Sequence, residues 1–258
     1  MTAQTTSGYS SARHLSFVET GRSLPSREMI LHLAEQLEIP MRERNVLLVA
    51  AGYAPIFPER SLDDPALASA RKAIDVVLEG HKPYPAFAID RHWTVIASNA
   101  ALPELYVGVS AALLQQPINA LRLSLHPQGL APQIVNLAEW RAHVLARLRR
   151  QVDITADPVI VDLLKEISAY PMPDGLSPGH ATTNQYEVAV PFKVVTEAGV
   201  LSFFTTTTIF GTPVDVTLSE LALELFFPAD AATAEAVRRL GDKTANQPQR
   251  PSETAPRP

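Results

Sequence analysis

The 258 residues include no cysteine, which excludes disulfides, thiolate-bound metals and cysteine nucleophiles. There is no apolar run long enough to cross a bilayer, and the polar opening MTAQTTSGYS lacks the apolar stretch of a secretory leader. The expected location is therefore the cytoplasm, with no membrane partner. An excess of positive charge is missing as well: charged residues are 19% of the chain and the net charge is −5. That balance argues against wholesale coating of nucleic acid, yet it leaves room for a local reading surface. Enzyme signatures are also absent, with no HExxH, GxSxG, GxGxxG or phosphate-binding lysine loop. The seven histidines are scattered, and no two stand at i, i+4 to hold a metal from one helix face. Neither catalysis, nor a metal, nor another cofactor is expected.

What is present suffices for a core, since 46% of the residues are hydrophobic. The length suits one large domain or two modest ones. Residues from Ser11 to about Glu19 read as a helix, with Ser11 as N-cap and Gly21 as stop. Pro25 and Ser26 open a second helix, with Glu28 in its positive first turn and Met29, Ile30, Leu33, Ala34 and Leu37 on one apolar stripe. A third runs from Met41 to Ala51 with Gly52 as its stop, and a fourth from about Pro65 to Glu79. FAIDRHWTVIASN reads as two short strands meeting near Arg91 and His92. The stretch from Asn99 to Tyr170 is helical in pattern, most clearly over Val135–Arg150 and Val159–Ser168, and PMPDGLSPGH reads as a loop. Three strand-like runs come after it: YEVAVPFKVVT, GVLSFFTTTTIFG and PVDVTLSELALELFF. The order of helices, two strands, helices and three strands predicts an α+β protein, with a five-stranded antiparallel sheet and helices packed on one face.

HLSFVETGRSLPSREMILHLAEQLEIPMRERNVLLVAAGYAP resembles the second half of the helix-turn-helix of lambda-repressor-like regulators of the xenobiotic-response-element class. YPAFAIDRHWTVIASNAA, NALRLSLHPQGLAPQIVNLAEWRAHVLARLRRQ and LSFFTTTTIFGTPVDVTLSELALELFFPAD resemble the ligand-binding domain of the MmyB-like transcription regulators. The resemblance runs from about Ser10 to Leu240. It implies a DNA-binding transcription regulator, working as a homodimer on operator DNA, whose PAS-like C-terminal domain takes a small apolar, fatty-acid-like ligand. The implied organisation is an incomplete helix-turn-helix over 1–55, a linker and connecting helix over 56–82, a PAS-like domain over 83–240 and a disordered tail over 241–258. In that family two helices precede the recognition helix, whereas only a few polar residues precede Ser11 here. The expectation is therefore an N-terminal truncation. The alternative function is a stand-alone ligand-sensing or dimerisation module without autonomous DNA binding.

The resemblance makes SSARHLSFVETG the recognition helix, with Ser11, Ala12, Arg13 and His14 facing base edges. Arg13 would suit a bidentate guanine contact and Arg22 a phosphate, with Leu15 and Val18 turned to the core. Without the resemblance, Arg13 and His14 read as a solvated helix end. In the sensor region an apolar pocket is expected from Phe87, Ile89, Phe192, Val194, Phe203 and Phe204 on strands, and Leu121, Leu123 and Trp140 on helices. Arg122 reads equally as a carboxylate clamp or as a surface arginine. Asp90 to Trp93 reads as a polar turn rather than a catalytic cluster, with Trp93 anchoring the second strand and Asn99 capping the next helix. Thr205 to Thr208 read as strand formers. Arg147, Arg149 and Arg150 read as the basic end of a helix, where the macrodipole favours cations.

Overall fold

The first and third helices stop at glycines, whereas the second gives way to Glu38 at φ 51°. α1 (Ala12–Glu19) gives way to Gly21, whose φ of 69° lies in the left-handed region that costs glycine nothing. The Arg22 amide then donates back to the Phe17 carbonyl at 2.7 Å. α2 (Arg27–Gln36) is N-capped by Ser26, which accepts the Met29 amide, and it buries Met29, Ile30 and Ala34. α3 (Met41–Ala50) buries Leu48. Of the side chains expected to face this core, Leu15, Val18 and Leu33 are half-buried, whereas Leu37 is exposed.

The structure is a computed structural model that describes residues 12–172, 190–213 and 215–245. The chain divides into two compact units. The second begins with α4 (Ala68–Gly80), which buries Ile74 and Leu78. It continues through β1 (Ala86–Ile89), β2 (Val95–Ser98), α5 (Ala120–Leu125), α6 (Leu137–Thr155) and α7 (Pro158–Ala169). β3 (Phe192–Thr196) and β4 (Gly199–Ile209) come next; after a helical turn α8 (Val216–Ser219) that groups with the first unit, β5 (Ala222–Pro228) and α9 (Ala231–Ala245) complete the second. The strands form one antiparallel sheet in the order β2-β1-β5-β4-β3. The expected α+β fold with a five-stranded antiparallel sheet is what the structure shows, and the last strand in sequence lies at its centre. Its core joins Phe192, Val194, Phe203 and Phe226 of the sheet to Val144, Leu148, Ile160, Leu163 and Ile167 of α6 and α7.

Two segments differ from the sequence expectation. The third strand-like run does not begin at Pro213: the buried Asp215 accepts the Thr217 amide at 2.9 Å, turning the chain into α8, and the strand starts only at Ala222. An aspartate that bonds its own backbone competes with the sheet ladder. α9 was not expected. It starts where Asp230 accepts the Thr233 amide at 2.7 Å, an ordinary N-terminal cap. Residues 173–189, holding most of the expected loop and the start of YEVAVPFKVVT, lie outside the described residues, as does the tail from 246 onward.

The connection between β4 and β5, Gly211–Ser219, groups with the chain up to Asp64 rather than with the strands it joins. There Arg60 pairs with Asp215 at 3.0 Å, the Val216 amide donates to the Pro58 carbonyl at 2.8 Å, and Thr217 Oγ1 donates to the Arg60 carbonyl at 2.6 Å.

Asn99 ties β2 to its surroundings more extensively than a simple cap would. Its Oδ1 accepts the amides of Ala86 and Ala101, at 3.2 and 3.3 Å. Its Nδ2 donates to the carbonyls of Leu78 and Tyr84, at 3.1 and 2.8 Å. All of this happens at 2% exposure, so truncation leaves buried groups unsatisfied. Asn99→Ala is expected to cost about 3 kcal/mol, measured as a drop of several degrees in the melting temperature of the full chain.

Candidate ligand-binding cavity

The cavity arises from the period of α6. Trp140, His143, Val144 and Arg147 stand at i, i+3, i+4 and i+7, so they share one face, and all four line one cavity. Across it stand Phe87 of β1, Thr205 of β4, and Glu224 and Phe226 of β5, with Phe192 of β3 beside them. Leu121, Leu123 and Ser124 of α5 and the segment Leu102–Tyr106 close the remainder. The wall is mainly apolar with a few convergent polar groups, the usual make-up of a small-molecule site.

The turn between β1 and β2 positions one wall. Asp90 Oδ1 accepts the amides of His92 and Thr94, each at 2.8 Å, and Trp93 sits between them at φ 66°. A bulky residue in that region is strained. It is held there by its amide, which donates to the Asp90 carbonyl, and by Nε1, which donates to Gln151 Oε1 at 2.9 Å. The indole thereby lies beneath the Arg147 guanidinium, 4.4 Å from Cζ to ring centroid. Next to this turn His92 and Arg91 face Asp157, at 3.0 and 3.3 Å. Burial works to raise the Asp157 carboxyl, but the bond from His92, the Val159 amide and the charge of Arg91 hold it below its ordinary value.

The polar corner of the cavity is an ion pair. Arg147 Nη2 donates to Glu224 Oε1 at 2.6 Å and to Thr207 Oγ1 at 3.0 Å, and the threonine hydroxyl donates to the same carboxylate oxygen at 3.0 Å. Pairing across the sheet sets Glu224 of β5 opposite Phe87 of β1 and Thr207 of β4. Burial, then the charges of Arg147 and Arg150, hold the His143 imidazole below its ordinary value. His143 also stacks on Trp140, whose Nε1 donates to Ser124 Oγ at 2.9 Å. Among the described residues no group of three or more His, Asp or Glu is placed to hold a metal ion, and no helix is long and apolar enough to cross a membrane.

The structure brings Phe87, Leu121, Leu123, Trp140 and Phe192 together at this cavity. Ile89, Val194 and Phe203 are buried in the core without lining it. Phe204 does not reach it: neighbours along a strand alternate faces, so with Phe203 inward Phe204 points away and is 41% exposed. Arg122 lies outside too. Its side chain is 46% exposed and makes a bidentate pair with Glu166, at 2.9 and 2.7 Å, while Tyr170 donates to the same carboxylate. Arg147 is the correction of most consequence. The helix that carries it runs on to Thr155, so it stands in mid-helix on the cavity face, seven residues after Trp140, and the macrodipole does not explain it. Glu224 was missed, although it is the single charge in the apolar run LALELFF.

Of the residues expected at a DNA surface, Ala12, Arg13 and His14 form the first turn of α1 and Arg22 is exposed in the turn beyond it. Ser11 and the side chains of 12–14 lie outside the described residues.

The sequence pattern of the MmyB-like transcription regulator ligand-binding domain matches residues 70–240. Among solved structures, the PAS domain of BvgS from Bordetella pertussis is similar, with 69% of this chain and 99% of that domain covered, 11% identity and a TM-score of 0.29. No curated protein matches the chain in sequence.

Removing Arg147 strands a carboxylate that is only 6% exposed, whereas Arg122 belongs to an exposed pair. Arg147→Met is expected to cost about 3 kcal/mol and Arg122→Met less than about 1, read as urea midpoints at neutral pH. For His143, the unfolded chain takes up its proton at a higher pH than the folded one. Its contribution to stability is therefore present above the ordinary histidine value and is lost as the pH falls below it. Between about pH 7.5 and 5.5, His143→Gln should lose less stability than the parent chain.

Proposed function

Through residues 70–240 the chain belongs to the MmyB-like transcription regulator ligand-binding domain family, and from that premise we propose that it is a transcription regulator whose cavity senses a small apolar, fatty-acid-like molecule. The observation that carries the reading is the cavity itself: a largely apolar space walled by the sheet, α5 and α6, with the Arg147–Glu224 pair among its few polar groups. A flexible chain would bury its length against Phe87, Leu121, Trp140 and Phe192, and its polar end would meet Arg147 and Glu224. Burial of each methylene is worth about 0.8 kcal/mol, so a slender aliphatic ligand gains affinity with length.

The regulatory half of the proposal rests on α1 and α2. α1 ends in the glycine turn at Gly21 and is followed by the capped α2, which suits the recognition helix of a helix-turn-helix and the helix after it. Arg13 is the residue proposed to read a guanine and Arg22 to grip a phosphate. The chain acts as a homodimer, so that two recognition helices meet two half-sites. Ligand occupancy selects one dimer geometry over another and so alters their spacing.

The reading is tested by native mass spectrometry of the purified full chain, then by selection of bound fragments from genomic DNA. A dimer that retains an apolar small molecule and enriches a pseudo-palindromic site supports it. Arg13→Ala should then lower affinity for that site about tenfold, measured by fluorescence anisotropy. Enrichment of no site by a chain that still retains ligand would favour the stand-alone sensor. Val144→Trp, which fills the space facing Phe87, should abolish the co-purified ligand while leaving DNA affinity in its absence unchanged.

A further inference from the structure

We propose that the ligand of this cavity carries an uncharged polar head, such as a hydroxyl, an amide or an ester, rather than a carboxylate; the inference rests on the ligand-sensing reading and narrows its chemistry. Among the described residues, the formal charges on the cavity wall are Arg147 and Glu224, and they already neutralise each other across 2.6 Å. A carboxylate head arriving there is a third charge. Beside the intact pair it meets the Glu224 carboxylate, and like charges brought together in a low-dielectric site repel strongly. If it draws Arg147 to itself, it leaves Glu224 at 6% exposure without its counter-ion, which is the costly way to break a buried pair.

Arg147 is also poorly placed to swing away. Its guanidinium rests on the Trp93 ring, and that indole is bonded through Nε1 to Gln151, whose own Nε2 donates to the Arg91 carbonyl at 2.6 Å. Among the described residues no spare cation stands on the wall. Burial and the neighbouring charges of Arg147 and Arg150, against the opposing charge of Glu224, hold the His143 imidazole below its ordinary value, and burial pushes the Tyr106 phenol up. Arg122, the guanidinium that would otherwise suit an acid, is taken by Glu166 outside the cavity.

A neutral head meets no such conflict. Both bonds that Arg147 makes to Glu224 and Thr207 come from Nη2. Nε–H and Nη1–H are thus the donors left for an ester or amide carbonyl or a hydroxyl oxygen. A hydroxyl or amide N–H can in turn donate to the Glu224 carboxylate. The pair then acts as a dipole that recognises a dipole, and it stays intact throughout.

Both tryptophans of the chain, Trp93 and Trp140, line the cavity, so intrinsic fluorescence reports occupancy directly. The full chain is titrated at about pH 8 with decanol, decanamide, methyl decanoate and decanoate, which share one aliphatic body. The three neutral ligands are expected to bind at least about tenfold more tightly than the carboxylate. Glu224→Gln removes the competing negative charge and leaves Arg147 uncompensated, so in that variant decanoate should become the tightest of the four. Should the variant fail to fold, the ranking on the parent chain decides alone. Decanoate binding as tightly as decanol to the parent chain overturns the head-group assignment and leaves the sensing reading standing. If none of the four changes the fluorescence or binds by calorimetry, both are overturned.

Discussion

The cavity depends on keeping one carboxylate paired. Glu224 stands in the central strand of the sheet, where apolar neighbours lie along the strand and Phe87 and Thr207 lie across it. An unpaired charge in such a place would be expelled or would unfold the strand around it. The remedy comes from α6, and it requires that Arg147 project from the same helical face as Trp140 and Val144. It also requires that Trp93 adopt a strained backbone so that its ring supports the guanidinium. Helix, turn and sheet, already joined through one apolar core, thereby also meet at this ionic contact, and the apolar space lies beside it.

Much of the fold is legible in the amino-acid sequence. Periodicity locates the helices, β-branched and aromatic runs locate the strands, and the order of the two predicts the sheet. The small conflicts come where a side chain competes with the backbone. Asp215 turns an apparent strand start into α8, and Asp230 caps a helix whose inward side chains, Thr233, Ala236, Val237 and Leu240, include small and polar ones. Propensity does not weigh those local bonds.

The site is only half legible, for a related reason. Aromatic residues announce a core, and Phe87, Trp140 and Phe192 do meet at the cavity with Leu121 and Leu123. Charged residues announce a surface unless their position on the element is counted. Arg147 and Arg122 differ by nothing in composition. What separates them is that the first shares a helical face with Trp140, while the second points to Glu166 on α7. Glu224 is a similar signal: a charge two residues before Phe226 shares its face of the strand, and its meaning becomes readable once that strand is known to be central.

The loop between β4 and β5 has a bearing on how the protein is made. Gly211–Ser219 supplies the buried Asp215 and the bond from Val216 to Pro58 that complete the unit begun by the chain up to Asp64. On the ribosome the amino-terminal helices emerge long before that loop does. Their unit must wait for well over a hundred further residues to be synthesised, and closing so long a loop carries an entropic cost. Completion of the first unit is therefore tied to synthesis of the strands that wall the cavity, and a single cut after Asp64 would part that unit from Gly211–Ser219.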